Sequence, residues 1–199
     1  MRTSKQGIGA ITHAALVAVP VVLALIVGCS SGGGGDNAET SATTSTTAPE
    51  DVTVQASDFS NLADMTPVRG FFVKNLLGKT DDAVKVANDP DGGVYPVGTI
   101  IQLIPQEAMV KHVKGYSPAT NDWEFFTLDA TPQGTTIISH GGAEVLNRFS
   151  NSSCAGCHGA AEPQFDFVCE NTHGCAPLGV PDEVITTIQQ SDPRPRQTA

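Results

Sequence analysis

Cys154-Ala155-Gly156-Cys157-His158 is the run of residues that most constrains this chain. Two cysteines three positions apart, followed directly by a histidine, form the C-x-x-C-H pattern that attaches a c-type haem. Each thiol can add to one vinyl group of a single porphyrin, and the imidazole of His158 can then bind the haem iron. A C-x-x-C redox pair, a structural zinc site and a chance match are the alternatives, and the remaining sequence has to distinguish them.

The composition limits the classes of partner. The 199 residues suffice for one domain of ordinary size with appendages. Asp and Glu number 21 against 11 Lys and Arg, which argues against nucleic acid as a partner because phosphates need a basic surface. The five cysteines are an odd number for a secreted disulfide protein, so each of them requires its own explanation.

Residues 1–28 resemble a bacterial lipoprotein signal peptide. Arg2 and Lys5 precede an apolar run that extends to Val27, and Cys29 follows after one glycine. This pattern predicts cleavage before Cys29 and attachment of lipid to its thiol, and an uncleaved membrane anchor is the alternative. Either way, we expect the chain to lie outside the cytoplasm, tethered to a bacterial membrane on the periplasmic side or at the cell surface.

Composition divides the rest of the chain into a linker, a domain and a tail. Residues 29–51 are rich in Gly, Ser and Thr and bury almost nothing, which predicts a disordered linker after the lipidated cysteine. Residues 52–190 form the predicted cytochrome domain. The polar residues 191–199, with Pro193 and Pro195, are predicted to be a disordered tail.

Short β-branched or aromatic segments separated by turn residues predict an antiparallel sheet. They cover residues 99–104, 108–113, 123–128 and 135–139. A polar loop is expected at 81–95, and helical turns are expected within 62–72 and 144–149. The C-x-x-C-H run follows the strands, whereas small all-helical cytochromes carry it near their start. The sequence therefore predicts a mainly β, α+β domain, in which an antiparallel sheet with short helices carries a C-terminal c-type haem motif.

Several short motifs between residues 67 and 168 resemble the cytochrome P-460 family, whose members are c-type cytochromes related to the β-type cytochromes c prime. The motifs are Tyr95-Pro96-x-Gly98-Thr99, Met109-Val110-Lys111, Gly115-Tyr116, Asp122-Trp123-Glu124-Phe125-Phe126, Cys154-x-x-Cys157-His158 and Asp166-Phe167-Val168. The resemblance implies a mostly antiparallel β fold with one covalent haem c. It also implies an iron with His158 on one side and an open distal site on the other, and a homodimer.

The resemblance implies chemistry of two kinds. Family members with a lysine joined to the porphyrin oxidise hydroxylamine, and members without it bind nitric oxide or carbon monoxide. The lysine is expected in the strand after Gly98-Thr99, but residues 100–104 contain none, and Lys111 and Lys114 come one strand later. The sequence therefore predicts binding or conversion of small nitrogen ligands such as nitric oxide or hydroxylamine, and leaves a hydroxylamine oxidoreductase-like activity unassigned.

The resemblance also assigns polar residues to the surroundings of the haem. Glu124 matches a carboxylate near the distal site, where it could move protons from a bound N–OH group, and a solvated strand residue is the alternative. Arg69 matches an arginine that could pair with a propionate, and an ordinary surface arginine is the alternative. Phe71, Phe72, Phe125 and Phe126 are expected to include a wall of the distal site, and a core position without haem contact is the alternative for each of them.

Cys169 and Cys175 lie six positions apart, and outside the cytoplasm this spacing predicts a local disulfide. Two alternative functions stay open. A plain electron-transfer cytochrome, serving a redox partner protein that the sequence does not identify, would use Met109 or His173 as the sixth iron ligand. A non-haem lipoprotein would use the C-terminal cysteines and histidines for zinc or for disulfides.

Overall fold

The computed structural model describes residues 50–197. The predicted signal peptide, the lipid-bearing Cys29 and the linker up to residue 49 lie outside the described residues. Among the residues that are described, no helix combines the length and the apolar character needed to cross a membrane.

A six-stranded antiparallel sheet forms the centre of the domain, and each strand pairs with the next one along the chain. The strands are β1 (Thr66–Val68), β2 (Phe71–Asn75), β3 (Thr99–Gln102), β4 (Glu107–Lys111), β5 (Trp123–Thr131) and β6 (Gly134–Gly141). Three short helices accompany them: α1 (Thr80–Asn88), α2 (Cys154–His158) and α3 (Asp182–Gln190). The predicted class, a mainly β, α+β fold with an antiparallel sheet and short helices, is confirmed.

Two separate apolar clusters cover the two faces of the sheet, because side chains alternate between the faces along each strand. The α2 face, against which Cys154 and Ala155 of α2 pack, is defined by Val73, Ile101, Met109, Trp123 and Phe125. The opposite face is defined by Ile100, Ala108, Val110, Phe126 and Leu128. The C-x-x-C-H run therefore lies against one particular side of the sheet.

Some short elements differ from the sequence prediction, because tertiary contacts outweigh weak local signals. Within 62–72, Leu62–Asp64 forms a single 3-10 turn, after which β1 and β2 reverse direction at Arg69 with a φ of 50°. Part of the predicted loop at 81–95 belongs to α1, which packs on β1 and β2 with Ala83 and Ala87 buried. Residues 144–149 form turns and a bridge rather than a helix.

The segment that follows α3 packs on the domain, although its composition predicts disorder. Arg194 is 3% exposed and forms an ion pair with Asp192 at 2.7 Å. The Asp192 carboxylate also accepts a hydrogen bond from the backbone N–H of Leu62 at 2.8 Å. Two charges are tolerated in this buried position because each compensates the other. Residues 191–197 thus form an ordered strap on the opposite face.

Candidate functional site

Helix α2 carries the C-x-x-C-H run and is fixed at its N-terminal end. The hydroxyl oxygen of Ser153 caps the helix by accepting a hydrogen bond from the Gly156 N–H at 3.0 Å. The Cys154 N–H donates to the carbonyl oxygen of Val145 at 3.1 Å, which joins the helix to the loop after β6. A helix of five residues has little stability of its own, so these contacts and the core beneath Cys154 hold it in place.

The four described cysteines are in two different states. Cys169 and Cys175 form the predicted disulfide, whereas Cys154 and Cys157 are bonded to no other cysteine of residues 50–197. Cys157 is exposed. Cys154 is half-buried, and this burial, together with the nearby carboxylate of Glu107, raises the pKa of its thiol to about 11. The disulfide therefore takes two cysteines from the alternative zinc site, while both thiols of the haem-attachment pattern remain.

A backbone carbonyl group orients the imidazole of His158. Its Nδ1 lies 3.0 Å from the carbonyl oxygen of Phe167. Because a carbonyl oxygen only accepts, Nδ1 carries the hydrogen and Nε2 carries the lone pair of the neutral ring. Burial lowers the pKa of His158 despite the opposing effect of this hydrogen bond, so the ring is neutral at neutral pH. Histidines that bind metals have this arrangement, in which one ring N–H is donated to the protein.

Asp166, the residue before Phe167, is fixed by four hydrogen bonds. The Asp166 carboxylate accepts hydrogen bonds from Lys111 Nζ at 2.7 Å, from the Tyr95 backbone N–H at 2.8 Å and from the side-chain amide of Asn121. The Asp166 carbonyl oxygen accepts from the indole N–H of Trp123 at 2.6 Å. Asp166 therefore connects the loop after α2 to β4, β5 and the segment before β3.

Sequence reasoning did not assign this set of contacts. Lys111, Trp123 and Asp166 occur in the family-like motifs, but none of them was given a role. The available signal was a charged residue next to apolar ones, at the end of Met109-Val110-Lys111 and in the middle of Phe165-Asp166-Phe167. Since charged residues are rarely buried without a partner, two such charges of opposite sign are candidates for pairing.

The side chain of Lys111 is buried and hydrogen-bonded within the protein. Its Nζ donates to the carboxylate of Asp166 and to the carbonyl oxygen of Asn121 at 2.6 Å, and it lies 5.2 Å from the ring centre of Trp123. The side chain is 6% exposed. Lys114, the other lysine near the expected cross-link position, is exposed. The buried Lys111 is thus paired with Asp166.

Glu124 points away from α2. Successive residues of a strand face opposite sides of the sheet, and its neighbour Phe125 is the residue whose ring lies 5.1 Å from the ring of His158. The cross-strand partner of Glu124 is Val110, which belongs to the opposite face. The structure therefore places Glu124 on the side of the sheet opposite the one on which α2 packs.

Glu124 belongs to a cluster of ionisable side chains, in which Glu124 and His112 are buried while His140 is exposed. Its carboxylate accepts from His112 Nε2 at 2.9 Å and from His140 Nδ1 at 2.6 Å, and His112 Nδ1 lies 3.0 Å from the carboxylate of Asp51. Because both nitrogens of His112 face acceptors, both carry hydrogen and the ring is cationic. The ring of Tyr116 stacks on that of His112 at 3.8 Å. Neither His112 nor His140 was predicted from the sequence as a site residue.

The charges in this cluster move two pKa values in opposite directions. Burial alone would lower the pKa of His112, but the hydrogen bond to Glu124 and the charge of Asp51 outweigh burial and raise it. Burial alone would raise the pKa of Glu124, but hydrogen bonds from His112 and His140 outweigh burial and lower it. The cluster thus contains an ion pair between His112 and Glu124, and it ties Asp51 at the start of the domain to β5, β6 and the residue after β4.

Arg69 pairs with a carboxylate of the disulfide loop. Its Nε and one terminal nitrogen donate to the two oxygens of Glu170 at 2.9 and 2.6 Å, in a bidentate arrangement. The other terminal nitrogen donates to the side-chain oxygen of Asn88 at 3.3 Å. These contacts join the β1–β2 turn to residues 169–175 and use most of the hydrogen-bonding capacity of the guanidinium group.

The four phenylalanines expected to line a distal site are divided between the two sides of the sheet. Phe71 and Phe125 belong to the cluster on the α2 face, and Phe72 and Phe126 pack on the opposite face. Met109 is the cross-strand partner of Phe125 and is buried beside it. This candidate sixth ligand therefore shares a face of the sheet with His158.

The second candidate sixth ligand, His173, belongs to the disulfide loop. Its Nδ1 donates to the carbonyl oxygen of Val168 at 2.9 Å, and its ring stacks on Phe165 with centroids 3.7 Å apart. Its Nε2 lies 3.5 Å from the carboxylate of Glu170. A cavity of about 260 Å³ lies beside it and is also lined by Arg69. His173 thus contacts its own loop and the segment before it.

The donor set of α2 fits a covalently attached haem c. Two thiols stand one helical turn apart, and the next residue is a neutral imidazole with its Nδ1 hydrogen donated to the protein. No group of three or more His, Cys, Asp or Glu side chains within residues 50–197 has the arrangement of a metal-ion site. Comparisons with models of protein families, with curated proteins and with solved structures found no match to this chain.

Proposed function

We propose that this chain is a mono-haem c-type protein in which Cys154 and Cys157 form the thioether bonds and His158 binds the iron. The observation that carries the proposal is the hydrogen bond from His158 Nδ1 to the carbonyl oxygen of Phe167 at 3.0 Å, which selects the tautomer that ligates through Nε2. The thiols of α2 support it further, since they are unpaired among the described cysteines while a disulfide forms close by.

The haem, when bound, supplies a redox-active iron with a position for a small ligand. The chain contributes the attachment and the surroundings. Helix α2 presents the two thiols, Phe167 orients the imidazole, and the α2 face provides apolar side chains such as Phe71 and Phe125 near the motif. Apolar surroundings favour small neutral ligands over anions, because a buried anion without a partner is costly.

We infer that the ligand is a small nitrogen species such as nitric oxide or hydroxylamine. The inference rests on the resemblance to the cytochrome P-460 family, in which the lysine-linked members oxidise hydroxylamine. The ion pair of Lys111 with Asp166 favours ligand binding without a lysine cross-link in this chain. We therefore propose reversible binding of the ligand, without turnover of hydroxylamine.

A plain electron carrier is the second candidate, and one observation favours it. Met109 is buried on the same face of the sheet as His158, and its cross-strand partner Phe125 contacts the His158 ring. A thioether that reached the iron from this position would fill the sixth coordination site and leave no place for a small ligand. The two functions thus differ in the coordination number of the iron.

The proposed location follows from the N-terminal sequence. The signal-like residues 1–28 and Cys29 indicate a lipid anchor, and the disulfide between Cys169 and Cys175 is of the kind that persists outside the cytoplasm. We place the protein at the extracytoplasmic side of a bacterial membrane, held by lipid.

Absorption spectra of the full-length chain, produced together with a haem-attachment machinery, test the proposed function. We expect a high-spin ferrous spectrum that changes when nitric oxide is added. A low-spin spectrum that is insensitive to the gas and becomes gas-sensitive in Met109→Leu would establish the electron carrier instead. A chain that takes up no haem under conditions where a known c-type cytochrome does would reject both functions.

A further inference from the structure

We infer that the buried ion pair between Lys111 and Asp166 positions His158 and thereby sets the reduction potential of the haem iron. The inference rests on the proposed haem attachment at α2. It assigns a role to two residues that lie outside the C-x-x-C-H run. Both are positioning residues, because they act through the backbone of the loop that follows α2.

The ion pair is connected to His158 through the backbone between Asp166 and Phe167. Asp166 and Phe167 are neighbours, and their φ angles of 50° and 70° place both in the left-handed region. Residues other than glycine adopt this conformation only when their surroundings stabilise it. The Phe167 carbonyl oxygen accepts the His158 Nδ1 hydrogen, so its position depends on whatever keeps Asp166 and Phe167 in this conformation.

The ion pair supplies that stabilisation. The side chains of Lys111 and Asp166 are 6% and 1% exposed, and their charged atoms are 2.7 Å apart. Lys111 belongs to β4, a central strand of the sheet, so it gives the loop a rigid attachment point. Neither charge can move to solvent without breaking a buried contact, and neither can remain buried alone without a large cost. The loop backbone at Asp166 is therefore tied to the sheet.

The orientation of the carbonyl affects the iron through the imidazole. A hydrogen bond from Nδ1 to a carbonyl oxygen increases the basicity of Nε2 toward a metal. A more basic ligand stabilises oxidised iron more than reduced iron, which keeps the reduction potential low. If the loop is loosened, the hydrogen bond lengthens or is lost, and the iron becomes easier to reduce.

The test compares two double variants that each remove one buried ion pair. Lys111→Met with Asp166→Asn removes the pair behind Phe167, and Asp192→Asn with Arg194→Met removes the pair in the C-terminal strap on the opposite face. Redox titration of the haem in the full-length chain gives the midpoint potential, and circular dichroism reports the fold. The control matches the test variant in burial and charge, so a general loss of stability affects both.

We expect a more positive midpoint potential in the first double variant and an unchanged one in the second. Mutation of a group that orients a metal ligand typically costs about 10–100-fold in metal affinity or activity, and by the low end of that range we expect the ratio of reduced to oxidised protein at a fixed potential to rise by about tenfold. Equal potentials in wild type and test variant, or equal shifts in both variants, would overturn the inference.

A milder variant covers the case in which the first double variant does not fold. Asn121→Gly removes one donor to the Asp166 carboxylate, suits the left-handed backbone at this position (φ 52°) and leaves the ion pair in place, so we expect a smaller shift in the same direction. The absence of any shift in this folded variant would then count against the inference. If wild-type chain carries no haem, the proposed function itself fails, whereas haem attachment with unchanged potentials rejects the positioning role alone.

Discussion

Replacing Lys111 by Met is expected to lower the free energy of unfolding by about 3 kcal/mol. The substitution removes the cation, so the Asp166 carboxylate stays buried without its charge partner. Removing one partner of a buried ion pair costs about 3–5 kcal/mol. The lower end applies because hydrogen bonds from Tyr95 and Asn121 to the carboxylate remain. For a domain of about 150 residues, this loss corresponds to a fall of roughly 6–12 °C in the unfolding midpoint.

Urea titration is the assay for this prediction. Trp123 is the single tryptophan of the chain and is fully buried, so its fluorescence and the circular dichroism signal report on the same core. The Lys111→Met, Asp166→Asn double variant completes the comparison and should lie within about 1–2 kcal/mol of wild type, because it leaves no uncompensated buried charge.

Two results would refute this reasoning. One is a Lys111→Met variant that loses less than about 1 kcal/mol, which would mean that Asp166 finds another partner or water. The other is a double variant that is as unstable as the single variant, which would mean that shape and hydrogen bonding, and not charge, account for the loss.

Three further predictions follow from other parts of the domain. The pKa of Glu124 lies below its ordinary 4.5, so its contribution to stability is lost as pH falls below 4.5. The pKa of His112 lies above its ordinary 6.5, so its contribution to stability is lost as pH rises above 6.5. The stability difference between wild type and a His112→Gln, Glu124→Gln variant should therefore peak between pH 4.5 and 6.5, and a difference that is constant across pH would contradict this. Gly92→Ala should destabilise more than Gly78→Ala in thermal unfolding, because both glycines have a φ near +75° but a Cβ at Gly92 would clash with the backbone carbonyl oxygen of Gln164, and equal losses would refute the clash. Arg194→Met should cost about 3–5 kcal/mol in urea titration, because it leaves a buried carboxylate unpaired, whereas a mobile tail would lose nothing.

The central part of the sheet was predictable because its strands carry strong local signals. The segments predicted at 99–104 and 123–128 correspond to β3 and β5, and both are rich in β-branched or aromatic residues. β1 and β2 were not predicted as strands. β1 is short and contains a proline, so its extended conformation depends on pairing with β2.

The ordering of the C-terminal strap was not predictable from its composition. Pro193, Pro195 and the surrounding polar residues are typical of disordered tails. Arg194 is buried because its guanidinium group reaches the carbonyl oxygen of Phe59 and the side chain of Gln102, which lie 135 and 92 positions earlier in the chain. Contacts at that separation have no local signature.

The candidate site was visible in the sequence only where its residues are adjacent. The C-x-x-C-H run and the Cys169–Cys175 pair are local patterns, and the disulfide is confirmed. The Lys111–Asp166 pair spans 55 positions and depends on how β4 meets the loop after α2. The sheet face that carries Glu124 was not predictable for a related reason, since alternation along β5 shows that Glu124 and Phe125 face opposite sides but not which side of the sheet carries α2.

The intact mass of the purified protein after acid extraction of loosely held haem tests the central claim most directly. We predict that the full-length chain, produced with a haem-attachment machinery, keeps the mass of one haem. We predict that Cys154→Ala with Cys157→Ala loses it and that the matched pair Cys169→Ala with Cys175→Ala keeps it. A wild-type mass without haem, or haem that survives extraction in the first pair of substitutions, would contradict the assignment of the site to α2.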